Sequence, residues 1–177
     1  NFPKADGYSI GGGVMRVGDQ RRQDLRAPIA DYATQFDVTM SQQKAHGHPI
    51  LAWDGDQRLH TQNALLVGEA ACVVDPFTAE GIRPALFSGV KAAAAIDRAI
   101  AGDLNALEGY TQVMQAEWGQ DMRWAKRLAQ VFYKAPKLAY RIGVKRPNAA
   151  PTIVKLFNGK LGYSEVAQRA ISRLSGG

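Results

Sequence analysis

The residue pattern with the clearest chemical meaning lies between positions 66 and 89, which read LVGEAACVVDPFTAEGIRPALFSG. The pattern predicts a buried strand, a turn at Gly68, a proline-containing loop and the start of a helix. A helix start offers unpaired N–H groups and a positive dipole end, and Gly81 there lets a ligand approach the backbone. The carboxylate of Glu69, directly after the strand, can accept hydrogen bonds from hydroxyl groups. These groups suit an electron-rich or anionic ligand, although an ordinary strand–turn–helix with a capping carboxylate has the same residues.

The elements that must position this stretch follow from hydrophobic spacing. Residues 22–36 have apolar positions at three-to-four spacing and predict a helix, and residues 64–68 predict a short buried strand. A long helix is predicted over 83–101, followed by one or two amphipathic helices over 104–133. Prolines and glycines divide the remainder, 134–177, into short helices.

The long predicted helix has a distinctive side-chain pattern. Its small residues, Gly89 and the alanines over 92–95, allow another element to pack closely, and Pro84 fits its first turn. Its apolar positions are Ile82, Leu86, Gly89, Val90, Ala93, Ile96 and Ile100.

The stretch over 66–89 resembles the second FAD fingerprint of the p-hydroxybenzoate-hydroxylase-like flavoproteins. Within them it is most similar to the geranylgeranyl reductases, whose usual form is G-D-A-A-x-x-x-D-P-x-T-G-E-G-I. The resemblance implies that Gly68 makes the turn and Glu69 holds a ribityl hydroxyl of FAD, with Asp75 and Pro76 along the flavin edge. Gly81 and Ile82 would present backbone N–H groups to the pyrimidine end of the flavin. The chain departs from the pattern where Glu69 replaces the usual Asp and Ala79 replaces the usual Gly.

Two further segments resemble parts of the same family. Phe2 and Pro3, followed after seven residues by Gly11-Gly12-Gly13, resemble a Phe-Pro…Gly-x-Gly segment that lines the family's prenyl-chain cavity. Phe2 and Pro3 are therefore candidate substrate-binding residues, and Gly11 and Gly13 would allow close packing there. Residues 156–166, LFNGKLGYSEV, resemble the family's Gly-x-x-x-Tyr tail.

The resemblance implies an α/β fold, α+β within this chain, that forms part of an FAD-binding p-hydroxybenzoate-hydroxylase-like fold with a largely helical C-terminal region. We expect a substrate-cavity part with a small mixed sheet over 1–62, the FAD-fingerprint strand, loop and helix over 63–102, and a helical region over 103–177. The implied activity is reduction of carbon–carbon double bonds of a geranylgeranyl group, on a chlorophyll precursor, a prenyl diphosphate or a lipid. Electrons would reach FAD from NAD(P)H or ferredoxin.

The chain has no Gly-x-Gly-x-x-Gly for the ADP half of FAD, since Gly11-Gly12-Gly13 lacks the third glycine and a following helix. We therefore expect a C-terminal fragment that binds FAD weakly or not at all by itself, and no catalytic acid can be named. A flavin-dependent monooxygenase or halogenase of the same superfamily, and a non-enzymatic lipid- or partner-binding domain, stay open as alternatives.

Charge and the numbers of cysteine and histidine residues restrict the classes of partner and of metal or disulfide site that the chain can have. Residues 119–177 hold 12 Lys/Arg and 2 Asp/Glu, and with their aromatic residues they could meet an anionic membrane surface or remain a solvated basic face. No recognised motif points to nucleic acid. Because Cys72 is the one cysteine, an internal disulfide is excluded. His46, His48 and His60 have no acidic cluster beside them in the sequence, so no metal site is expected. No apolar run approaches membrane-spanning length. We expect a cytoplasmic protein, and peripheral association with a membrane stays open as one role of the basic region.

Overall fold

A computed structural model describes residues 1–15, 23–39, 44–55, 57–145 and 149–175. The chain divides into two compact units, Asn1–His48 and Pro49–Gly177. The described residues are mostly helical, with one two-stranded sheet, as the prediction of an α+β chain with a largely helical C-terminal region requires. Trp53 and Leu59, which the sequence division placed with the N-terminal part, pack in the core of the second unit.

The first unit combines a hairpin with one helix. Strands β1 (Phe2–Lys4) and β2 (Gly7–Ser9) pair antiparallel, and helix α1 spans Arg26–Thr34 inside the predicted range 22–36. Phe36 follows α1 and its ring lies 5.6 Å from that of Tyr8. The expected mixed sheet is wrong, because the sheet of the described residues has two strands and both run antiparallel. The three glycines after β2 lie outside any strand, since glycine weakens a strand and leaves no side chain to pack.

The second unit is built from helices. Helix α2 spans Ile82–Ile100, as predicted, and α3 spans Ala106–Met114. A π-helical turn over Gln115–Gly119 joins α3 to α4, Gln120–Lys134. The predicted short helices of the C-terminal part are α5 (Pro136–Ala139), a second π-helical turn (Tyr140–Val144), α6 (Ala149–Phe157) and α7 (Tyr163–Ser175).

The predicted amphipathic stripe of α3 and α4 forms the main core. Tyr110, Met114, Trp118, Met122 and Ala125 recur every three or four residues and are all buried. The π-helical turn continues this buried face from α3 into α4, so the two helices present one continuous apolar face. They bury it against side chains of the preceding loop, among them Trp53, Leu59, Ala71 and Val73.

Helix α2 packs on α3 through a different face from the one its apolar residues suggested. Its buried side chains are those of Pro84, Ser88, Ala92 and Ala95. This confirms the predicted close packing for Ala92 and Ala95, whereas Ala93 and Ala94 are exposed and a Cβ on Gly89 would meet no atom within 4 Å in the described structure. The apolar stripe from Ile82 to Ile100 instead faces outward, and the exposed fractions of those two side chains are 80% and 82%.

The strand predicted over 64–68 is wrong. Leu65 makes one isolated antiparallel bridge with His60, and Leu66 and Val67 are 49% and 41% exposed. A buried strand needs paired neighbours along its length, whereas a tight turn closed by Thr61 N–H donating to Ala64 O limits the pairing here.

Candidate functional site

The predicted FAD fingerprint folds into a loop, residues 66–81, that leads into α2 and is called the fingerprint loop below. Gly68 begins a 3-10 turn, Gly68–Ala71, with φ +61°, and Cys72 ends it at φ +52°. Val74 then forms a parallel bridge with Ala52. Ala79, where the related pattern has glycine, has φ +59°. This left-handed conformation favours glycine because a Cβ is crowded there, so the loop has the backbone shape for which the usual glycine is suited.

Asp75 holds the centre of this loop. Its carboxylate is 2% exposed, and Oδ1 accepts hydrogen bonds from Phe77 N–H at 2.7 Å and Thr78 N–H at 3.2 Å. Oδ2 accepts the hydroxyl of Tyr163 at 2.6 Å. Burial, and then the negative charge of Asp75, raises the pKa of the Tyr163 hydroxyl far above its usual range. Both oxygens of Asp75 thus accept hydrogen bonds from within the protein.

Aromatic side chains of α3, α4 and the π-helical turn between them hold the loop backbone at three further points. Tyr110 donates its hydroxyl hydrogen to Leu66 O at 2.8 Å, and Trp118 donates its indole N–H to Val73 O at 3.0 Å. The Tyr133 hydroxyl donates to Phe77 O at 3.0 Å. The helices therefore fix the path of a loop that has almost no regular structure of its own.

The helix start has open donors. Among the described residues, neither Gly81 N–H nor Ile82 N–H donates a hydrogen bond, whereas the next amide, Arg83 N–H, donates to Glu80 Oε1 at 2.7 Å. Arg83 Nε lies 3.5 Å from the other Glu80 oxygen, close enough for an ion pair but too long and poorly aligned for a hydrogen bond. These two amides lie at the positive end of a 19-residue helix and can donate hydrogen bonds to an electron-rich group.

The other predicted cofactor residues occupy different surroundings. Glu69 is half-buried in the 3-10 turn, and its Oε1 accepts Leu51 N–H at 3.2 Å. Gly68 donates its N–H to Ser88 Oγ of α2 at 2.9 Å, which ties the turn to the helix. Pro76 is buried, and Ile82 is exposed. The structure therefore brings Gly68 and Glu69 into one turn beside α2, and Gly81 and Ile82 to the end of that helix.

The tail motif meets the fingerprint loop in space. Tyr163 reaches Asp75 across 88 positions of sequence. Gly159, four residues before it, has φ +69°, and a Cβ there would lie 3.0 Å from Arg83 Nη1. The sequence singled out both segments separately, but no periodicity or spacing within either one predicted their contact.

The candidate substrate residues belong to the first unit. Phe2 and Pro3 form β1 and are exposed, with Phe2 74% exposed. A Cβ built on Gly11 or Gly13 would meet no atom within 4 Å in the described structure. Nothing packs closely against these two glycines in the residues described, so their expected role in close packing stays a prediction.

A polar cleft of about 510 Å³ lies elsewhere on the second unit, and none of the fingerprint residues lines it. In it, His60 Nδ1 lies 2.7 Å from the Thr111 hydroxyl oxygen. The cleft is lined by Arg58, His60, Glu108, Thr111, Gln112 and Gln115. Within the described ranges there is no group of three His, Cys, Asp or Glu residues that could hold a metal ion, and no helix long and apolar enough to cross a membrane.

No family model, curated protein or solved structure matches this chain.

Proposed function

We propose that the chain is the C-terminal part of an FAD-dependent oxidoreductase of the geranylgeranyl reductase type, with a p-hydroxybenzoate-hydroxylase-like fold. The observation that carries this proposal is the open pair of amides at Gly81 and Ile82, at the end of a loop with the backbone shape that the family's glycine-rich pattern requires. The contact of Tyr163 with Asp75 supports it further, because two segments that each resemble the family meet there.

The residues present fit the isoalloxazine and ribityl part of FAD. Two N–H groups at a helix start are suited to the N1–O2 edge of the flavin, where negative charge gathers on reduction. The carboxylate of Glu69 can accept hydrogen bonds from ribityl hydroxyls, with Gly68 shaping the turn before it. Asp75 would act indirectly: its buried carboxylate fixes the loop so that both amides are aimed before the cofactor binds.

FAD, when bound, would supply hydride transfer to a carbon–carbon double bond of a geranylgeranyl group. The chain's own residues would orient the flavin, and the positive end of the α2 dipole would stabilise negative charge on it. Electrons would come from NAD(P)H or a ferredoxin. The substrate would be a prenylated chlorophyll precursor, a prenyl diphosphate or a lipid, with Phe2 and Pro3 as candidate cavity residues.

A prenyl substrate is membrane-soluble, and the C-terminal part has a surface suited to anionic lipid. Lys134, Lys137 and Arg141 are exposed on or beside α5, together with Leu138 at 49% and Tyr140 at 55%. Cations beside apolar side chains are typical of helices that lie on a membrane surface. Co-sedimentation with anionic vesicles should fall when the exposed Lys137 and Arg141 are both replaced by glutamate, and equal binding by this variant would contradict this role.

The test of the cofactor proposal is the visible spectrum after gel filtration with added FAD, recorded for this chain and for a longer form of the protein that supplies an ADP-binding half. We expect flavin bands in the longer protein and weak or no bands in the chain alone. The absence of flavin from the longer protein, even with excess FAD, would refute the proposal. A hydroxylated or halogenated prenyl product would instead point to the monooxygenase or halogenase alternative.

Matched variants at Glu69 make the spectrum test specific. Glu69→Ala should reduce flavin retention by the longer protein at least tenfold, since it removes the acceptor for ribityl hydroxyls (about 1.5–3 kcal/mol). Glu69→Asp should retain flavin, because aspartate is the usual residue in the related pattern. Glu108→Ala, an exposed site on α3, serves as the control. Equal loss in the Glu108→Ala variant would show that the effect is not specific to the fingerprint loop.

A further inference from the structure

The outward face of α2 carries an apolar stripe whose spacing is that of a coiled-coil seam. The steps along it alternate between four and three residues, the heptad pattern by which one helix packs on another. Its larger side chains are between 46% exposed, at Ile96, and 82% exposed, at Ile100. The seam consists of Ile82, Leu86, Gly89, Ala93, Ile96 and Ile100.

The seam is self-complementary when two copies of α2 run antiparallel. Positions equidistant from Lys91 then face each other across a two-fold axis. The layers become Ile82 with Ile100, Leu86 with Ile96, and Gly89 with Ala93. The largest side chains meet at the ends, and the smallest meet where the helices approach most closely. We propose that a second copy of this chain covers the stripe, as an isologous dimer through α2.

Charge along the edge of the seam matches the same arrangement. In an antiparallel pair the residues one position C-terminal to the seam positions 82, 89 and 96 face each other. These residues are Arg83, Val90 and Asp97. Arg83 of one copy then lies near Asp97 of the other, twice by symmetry, and Val90 meets its own counterpart. Asp97 is exposed, and the 41% exposed side chain of Arg83, which pairs with Glu80 and lies over the Trp118 ring within its own chain, puts a positive charge at this edge. Opposite charges at these edge positions favour this orientation over others.

The size of the stripe sets the strength to expect. The four larger side chains of the seam are those of Ile82, Leu86, Ile96 and Ile100. With Val90 they supply roughly 350 Å² of apolar surface per copy, if each side chain buries about 70 Å². This is under half of the ~800 Å² per partner of a standard interface. The dimer should therefore form reversibly and depend on protein concentration.

Sedimentation velocity over a wide concentration range tests the dimer, with two variants that differ only in position. Val90 lies at the centre of the proposed contact and Val131 lies on α4, and both are 70% exposed. Val90→Glu places two carboxylates face to face and should raise the dimer dissociation constant at least about tenfold. Val131→Glu should leave it unchanged. Ile100→Lys, at the end of the seam, serves as a second disruptive variant, and circular dichroism checks the folding of all three.

Disulfide cross-linking in a Cys72→Ser background tests the antiparallel register. Val90→Cys should form a covalent dimer on oxidation, whereas Val131→Cys should stay monomeric. A chain that is monomeric at all concentrations would overturn the proposal and leave the stripe for another segment or partner. A dimer that persists in both disruptive variants, or a Val90→Cys protein that does not cross-link, would overturn it as well. Because this readout needs no flavin, its outcome is independent of the cofactor proposal.

Discussion

Replacing Tyr163 by phenylalanine should destabilise the second unit, because it removes one oxygen atom from a buried network. The hydroxyl is the only described donor to Asp75 Oδ2, at 2.6 Å, while Oδ1 keeps its two backbone N–H groups. Tyr163 is 4% exposed and Asp75 is 2% exposed, so water cannot readily replace the lost donor. The phenylalanine ring would keep the edge-to-face contact with Phe77, whose ring centroid lies 5.9 Å away.

The expected loss follows from the kind of hydrogen bond removed. A bond to a charged acceptor contributes about 1.5–3 kcal/mol, and a buried acceptor left unsatisfied carries a penalty of similar size. Because the ring packing stays, no cavity term is added. We therefore expect the free energy of unfolding to fall by about 2–3 kcal/mol in Tyr163→Phe.

Urea unfolding at neutral pH, followed by circular dichroism, measures this difference. Tyr140→Phe is the matched control, since Tyr140 is 55% exposed and its substitution should change the free energy by under about 0.5 kcal/mol. A Tyr163→Phe protein as stable as the wild type would refute the inference that this hydrogen bond holds the loop. A loss equal to that of the control would have the same meaning.

Three further predictions concern the same unit. Burial raises the pKa values of Tyr110 and Tyr163 above 10.0, so these groups ionise first in the unfolded chain as pH rises. The free energy of unfolding should therefore fall above about pH 10 by roughly 1.4 kcal/mol per pH unit for each tyrosine. Urea unfolding at a series of pH values should show a shallower fall of this free energy with pH in Tyr163→Phe. An unchanged slope would contradict that assignment. Ala79→Gly, at φ +59°, should raise the free energy of unfolding by up to about 1 kcal/mol by relieving left-handed strain, and a clear decrease in a urea titration would contradict it. Gly119→Ala would place a Cβ 2.5 Å from Trp53 Cζ2 and should lower the free energy of unfolding by about 1–3 kcal/mol. Gly143→Ala, in the other π-helical turn with open space around it, should be neutral or stabilising. Equal effects of the two substitutions in urea unfolding would refute the steric explanation.

Local pattern was sufficient for the helices. The stripe from Tyr110 to Ala125 predicted a buried face, because side chains three and four apart lie on one side of any helix. The start of α2, observed at Ile82 and predicted at residue 83, followed from Gly81 and Pro84, which act within one turn of chain. The left-handed backbone at Ala79 was not predicted, because an alanine gives no local signal for a positive φ.

Tertiary packing decided which faces are covered and which polar groups are used. The small residues of α2 predicted a closely packed face, which Ala92 and Ala95 help to form, but the exposure of the apolar stripe depends on which neighbouring elements reach it. Asp75 matched a ligand-lining position in sequence, yet its carboxylate is buried and bound by Tyr163, 88 positions away. A buried carboxylate must find donors wherever the fold supplies them. Sequence therefore determined the helices, while the missing strand at 64–68, the burial of Asp75 and the exposure of the α2 stripe depend on contacts between distant segments.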